Sequence, residues 1–121
     1  MLYFQDCMFI KTKDNTTLHV AFQGNIHLAN CSRCCKRWFI TFNGAECSGP
    51  LPIDAALWIP DSSSIDYRHG AIEGYCENIR KGNIRVGINI GNSPGYGNTN
   101  GHTGWMSLSR LIIEEVSQSQ Q

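Results

Sequence analysis

The stretch Cys34-Cys35-Lys36-Arg37-Trp38-Phe39-Ile40-Thr41-Phe42-Asn43-Gly44-Ala45-Glu46-Cys47-Ser48-Gly49-Pro50-Leu51-Pro52-Ile53 joins a cysteine pair, an aromatic strand and a punctuated turn. Trp38, Ile40 and Phe42 recur with period two, which places all three on one face of a pleated strand. Asn43-Gly44 supplies a turn that tolerates positive φ, and Ser48-Gly49-Pro50 with Pro52 interrupts regular structure again. Cysteines on both sides predict disulfides that clamp the strand at its ends. No catalytic spacing runs through the block, so it reads as architecture rather than chemistry.

The same period recurs on both sides of this strand, while no segment sustains a helical pattern. Strands are predicted at 8–12, 18–22, 25–28, 37–42, 55–59, 65–72, 83–90 and 105–116, separated by clusters of Gly, Asn, Ser and Pro. Leu18, Val20 and Phe22 share one face, as do Ile84, Val86, Ile88 and Ile90. Seven or eight short strands on a regular beat predict an all-β antiparallel sandwich or jelly roll. A helical face also fits 105–116, but the β-branched Ile112, Ile113 and Val116 favour strand. The run Leu111-Ile112-Ile113 puts apolar groups on both faces of that strand. One face is expected against the second sheet and the other against a neighbouring subunit.

The chain of 121 residues suits one domain, expected over 7–116, with residues 1–6 as a linker or an expression-tag remnant and 117–121 as a flexible tail. Ten basic and ten acidic residues cancel, which leaves no electrostatic footprint for nucleic acid or an anionic membrane. No apolar run approaches the roughly 20 residues needed to cross a bilayer, and no leader pattern opens the chain, so a mature fragment is expected. Six cysteines favour an oxidising compartment. Asn15-Thr16-Thr17 is an N-glycosylation acceptor that fits the same setting.

Cys31-Ser32-Arg33-Cys34 has the two-residue gap of a zinc ribbon, with His27 nearby. A structural zinc site needs a second ligand pair, and Cys47, Cys76, His19, His69 and His102 are scattered. Disulfides are therefore expected at Cys7, Cys31, Cys34, Cys35, Cys47 and Cys76, with no metal and no cofactor. Six cysteines allow fifteen pairings, and the spacing does not choose among them. Catalysis is not expected, because no nucleophile stands beside an oriented base and Glu114-Glu115 point to opposite faces of a strand. The expected arrangement is one solvated carboxylate and one paired with a base such as Arg110. Lys36-Arg37 reads as the solvated end of a strand. The glycine-rich segment from Ile90 to Gly104 reads as a long loop, matching no phosphate cradle, with Tyr96 and His102 as candidate partner contacts.

Four stretches carry a resemblance. Cys34 to Trp38, Thr41 to Ile53, Glu73-Gly74-Tyr75-Cys76-Glu77, and Thr103-Gly104-Trp105 with Ser107 to Glu115 resemble the C-terminal domain of collagen triple helix repeat-containing proteins. The similarity runs from about Cys7 to Val116. Ser93 stands where that family would place a further cysteine. The resemblance implies a secreted, glycosylated extracellular matrix protein with an upstream collagen-like stem, and a role in Wnt-type planar polarity signalling. By analogy with other collagen-stalk proteins, it implies a homotrimeric jelly roll like the globular heads of complement or tumour necrosis factor. The expected function is a non-catalytic trimerisation and recognition domain, with Trp38, Ile40, Phe42, Trp105, Leu111, Ile112 and Ile113 in the core or at the threefold interface. The competing expectation is a monomeric secreted module that binds a Wnt-pathway receptor or a glycan. An extracellular receptor or matrix partner is expected in either case.

Overall fold

A computed structural model describes residues 2–29, 34–59, 66–92, 100–103 and 110–117, with side chains over 6–24, 35–56, 70–91 and 110–117. The described residues form strands β1 (Leu2–Lys11), β2 (Thr16–Ala29), β3 (Cys34–Phe42), β4 (Ala45–Glu46), β5 (Asp54–Ile59), β6 (Asp66–Cys76), β7 (Gly82–Asn92), β8 (Asn100–Thr103) and β9 (Arg110–Ser117). Every strand pairing is antiparallel. Sheet A runs β1-β7-β3, and the far edge of β3 is shared by β5 and the two-residue β4. Sheet B is centred on β2, with β6 along one edge and β9 followed by β8 along the other.

The period-two pattern explains why these sheets stack. Trp38, Ile40 and Phe42 of β3 and Ile84, Val86, Ile88 and Ile90 of β7 face inward from sheet A, and Leu18, Val20, Phe22 and Ile72 meet them from sheet B. Trp38, Ile40, Phe42 and the predicted faces of β2 and β7 are therefore core. The Trp38 indole N–H finds no acceptor among the described residues. Leu111 and Ile113 pack against this core from β9.

Several boundaries differ from the sequence reading. Residues 2–6, set outside the domain, lie in β1, whose pairing with β7 begins at Leu2 opposite Ile90. The strands expected at 18–22 and 25–28 are one continuous β2, because Gly24 pairs with Gly70 and continues the ladder instead of breaking it. The segment expected as a loop from Ile90 to Gly104 contains β8, which extends sheet B beyond β9 through Ile26 to Ala29 of β2. Trp105 lies outside the described residues, as does Tyr96.

The turn at Asn43-Gly44 has φ of 52° and 88°, the doubly positive combination of a tight two-residue hairpin. It joins Phe42 to its pairing partner Ala45. Asn43 exchanges hydrogen bonds with the Arg85 backbone, donating through its own N–H at 2.8 Å and accepting from Arg85 N–H through Oδ1 at 2.8 Å. The hairpin tip is thereby fastened to β7.

Candidate functional site

Alternation along β2 buries Leu18, Val20 and Phe22 and so turns His19, Ala21 and Gln23 to the outer face of sheet B. Register then decides what His19 meets. Tyr75 of β6 and Glu114 of β9 are its cross-strand partners, and Glu73 stands diagonally, opposite Ala21. His19 Nε2 lies 2.6 Å from Glu73 Oε2, and Nδ1 lies 2.8 Å from Glu114 Oε1. The Tyr75 ring stacks on the imidazole at 4.6 Å between centroids and 21° between planes. The hydrogen bond to Glu114 raises the His19 pKa above its ordinary value; desolvation opposes this, and Glu73 adds to the rise. The cluster is not arranged to hold a metal ion. Its two carboxylates approach different ring nitrogens, so no single lone pair converges with both.

Glu115 turns the other way and serves a structural purpose. Its carboxylate accepts from Thr12 N–H at 2.8 Å, Thr12 Oγ1 at 2.9 Å and Lys13 N–H at 3.0 Å, and also from Thr16 Oγ1. Those donors, led by the Thr16 hydroxyl and the Thr12 amide, hold its pKa down to about 2. The same turn receives the fully buried Lys11 ammonium, which donates to the carbonyls of Lys13 and Asp14. The expectation for Glu114 and Glu115 was right about opposite faces and wrong about partners. A histidine and a turn, rather than Arg110, engage the two carboxylates.

A second ionic group sits on sheet A. Arg37 donates to both oxygens of Glu46, to Asp54 Oδ2 at 2.7 Å, and lies 4.7 Å over the Phe39 ring. Lys36 is buried, and desolvation lowers its pKa. The solvated strand end read at Lys36-Arg37 is therefore corrected: one cation is enclosed and the other is neutralised by carboxylates from the β4 hairpin and β5.

Cys47 and Cys76 form a disulfide that ties the segment after β4 to the end of β6, across the two sheets. Glu77 N–H donates to Gly49 O beside it, and a shallow cavity of about 160 Å³ opens between Phe42 and Asn78. Cys35 is buried, while Cys7 is half-buried and carries a free thiol, so the expected bridge at Cys7 is absent among the described residues. Cys31 lies outside the described residues, and of Cys34 only the backbone is described. Asn15 is exposed in the turn between β1 and β2. His102 sits on β8 opposite His27. Ile112 projects outward from sheet B at 44% exposure. The His19 cluster was missed in the sequence because its members lie far apart along the chain. Only the register of β6 and β9 on β2 brings them together.

No helix among the described residues is long and apolar enough to cross a membrane. The family model for the CTHRC1 C-terminal domain matches residues 3–113. No solved structure matches the chain.

Proposed function

The chain belongs to the family of the CTHRC1 C-terminal domain, the terminal unit of a collagen-repeat protein, and from that premise we propose that it is a non-catalytic trimerisation and recognition domain. Three collagen-like chains must meet in register before their contacts can offset the entropy of ordering them. A head that associates as a homotrimer raises their local concentration and sets the stagger. The head is a jelly-roll-like sandwich at the end of a secreted extracellular matrix protein. The exposed Asn15 in its Asn-Thr-Thr acceptor suits glycosylation in that compartment.

The observation that carries the assembly is on β1. Met8 and Ile10 project from the same face of sheet A, 64% and 67% exposed, while Phe9 between them packs against the core. Apolar surface of this kind on a strand gains free energy when a second copy covers it. Light scattering on the chain at micromolar concentration tests the reading. Three times the chain mass is expected, and a single-chain mass overturns it.

The competing reading is a monomeric secreted module for a Wnt-pathway receptor or a glycan. It draws support from the ionic centre of sheet B's outer face, where Glu73, His19 and Glu114 stand in a row. A monomer that retains full partner affinity would favour it.

A further inference from the structure

Both ring nitrogens of His19 lie within hydrogen-bond distance of a carboxylate oxygen, Nε2 of Glu73 and Nδ1 of Glu114. A neutral imidazole carries one N–H, and an ionised carboxylate carries none. With a single proton in the cluster, one contact is a hydrogen bond and the other sets a ring lone pair against a carboxylate oxygen. Two protons make both contacts hydrogen bonds. We propose that His19 is a proton-dependent clasp that ties β6 and β9 to β2, closed on both sides when the cluster holds two protons and opened on one side when it loses one.

The surroundings favour the closed form. The groups that face the ring are Glu73 and Tyr75 from β6 and Glu114 from β9. On the same face of β9, Ile112 comes next and Arg110 stands two positions further along, opposite Gln23. No cation therefore adjoins the ring to compete for either carboxylate among the described residues. The stack with Tyr75 covers one ring face and fixes the plane in which both nitrogens point.

The direction of the pH effect follows. The folded pKa of His19 lies above 6.5, so the clasp's contribution is complete below the unfolded value and is lost as pH rises through the folded one. What loosens is local. The backbone ladder of β9 on β2, from Thr16–Ser117 to Gln23–Arg110, still forms at the higher pH but opens transiently more often, without the protein unfolding.

The test is an NMR titration of the assigned His19 ring in the full chain, with amide exchange of β9 at pH 6 and pH 8 corrected for intrinsic rates. His19 is expected to titrate above 6.5 and to fall toward that value in both Glu73→Gln and Glu114→Gln. Opening of β9 is expected to be about two- to fivefold more frequent at pH 8, the range for an exposed ion pair, and to lose that dependence in His19→Gln. A His19 that titrates at or below 6.5 in the unaltered chain overturns the proposal, whatever the variants do. So does an equal pH dependence of β9 opening with and without the imidazole.

Discussion

Ile53 lies so close over Gly74 that a Cβ on Gly74 would sit 2.7 Å from Ile53 Cγ1 and 3.0 Å from Cδ1. Ile53 belongs to the segment between β4 and β5, and its carbonyl accepts from Ile40 N–H at 2.9 Å. Gly74 is on the inner face of β6. The contact therefore sets how near sheet B comes to the middle of β3. Adding a methyl here overfills the core, and Gly74→Ala is expected to cost about 1–3 kcal/mol. Ile53→Ala alone is expected to cost about 2–5 kcal/mol through the cavity it leaves. The double variant should cost less than the sum of the two, because each change relieves the other. Urea denaturation of the three variants measures this, and simple additivity would contradict the close contact.

Glu115 holds the β1–β2 turn through four donors from Thr12, Lys13 and Thr16. Its pKa is lowered from 4.5 to about 2, so the carboxylate's stabilisation is complete above the unfolded value and disappears as pH falls through the interval down to about 2. Glu115→Gln keeps the shape and removes the charge. The variant is expected to be less stable than the parent at pH 6 and to match it near pH 2. Thermal melts across this range check the convergence. A constant gap between the two proteins would show that the charge does not hold the turn.

The fold was legible because its core obeys a period of two without interruption. Leu18 to Phe22, Trp38 to Phe42 and Ile84 to Ile90 each place their alternate residues inside. Asn43-Gly44 announced its hairpin because few other pairs accept two consecutive positive φ values. Less could be read where glycine has two meanings. Gly24 looked like a break and is a ladder position, since its partner Gly70 lets the strands run on. The polar site was hidden for a different reason. His19, Glu73 and Glu114 meet only through register on β2, and register depends on the whole sandwich. The cationic pair Lys36-Arg37 was misread because sequence gives no sign that Glu46 and Asp54 fold back over β3.

The Cys47–Cys76 bridge closes a separation of 29 residues, and removing it frees that loop in the unfolded chain. Chain entropy at this length predicts a loss of about 3–4 kcal/mol. Cys47→Ala with Cys76→Ala is expected to lower the denaturation midpoint accordingly, while β1 and β7, joined by their own ladder, retain their exchange protection longest. Denaturant titration followed by amide exchange separates the global loss from the local one. An unchanged midpoint would show that the packing of Ile53 and Gly74 suffices to hold the two sheets together at that end.

Met8 and Ile10 offer the sharpest test of self-association, because a folded single copy does not need them. Both stand in solvent on β1, and exposed substitutions away from special features usually change stability by less than about 0.5 kcal/mol. Met8→Glu with Ile10→Glu should therefore leave the melting of the isolated fold nearly unchanged. In an assembly, the same variant sets carboxylates from three copies against apolar surface, where an unpaired charge is strongly disfavoured. The expected outcome is a folded protein whose mass by light scattering falls to that of one chain. Ile112→Glu on the outer face of sheet B serves as the comparison, since Ile112 flanks the ionic row rather than the β1 face. Loss of the assembly by Ile112→Glu and its survival in the β1 variant would move the contact to sheet B, where each copy would have to cover His19 and its carboxylates.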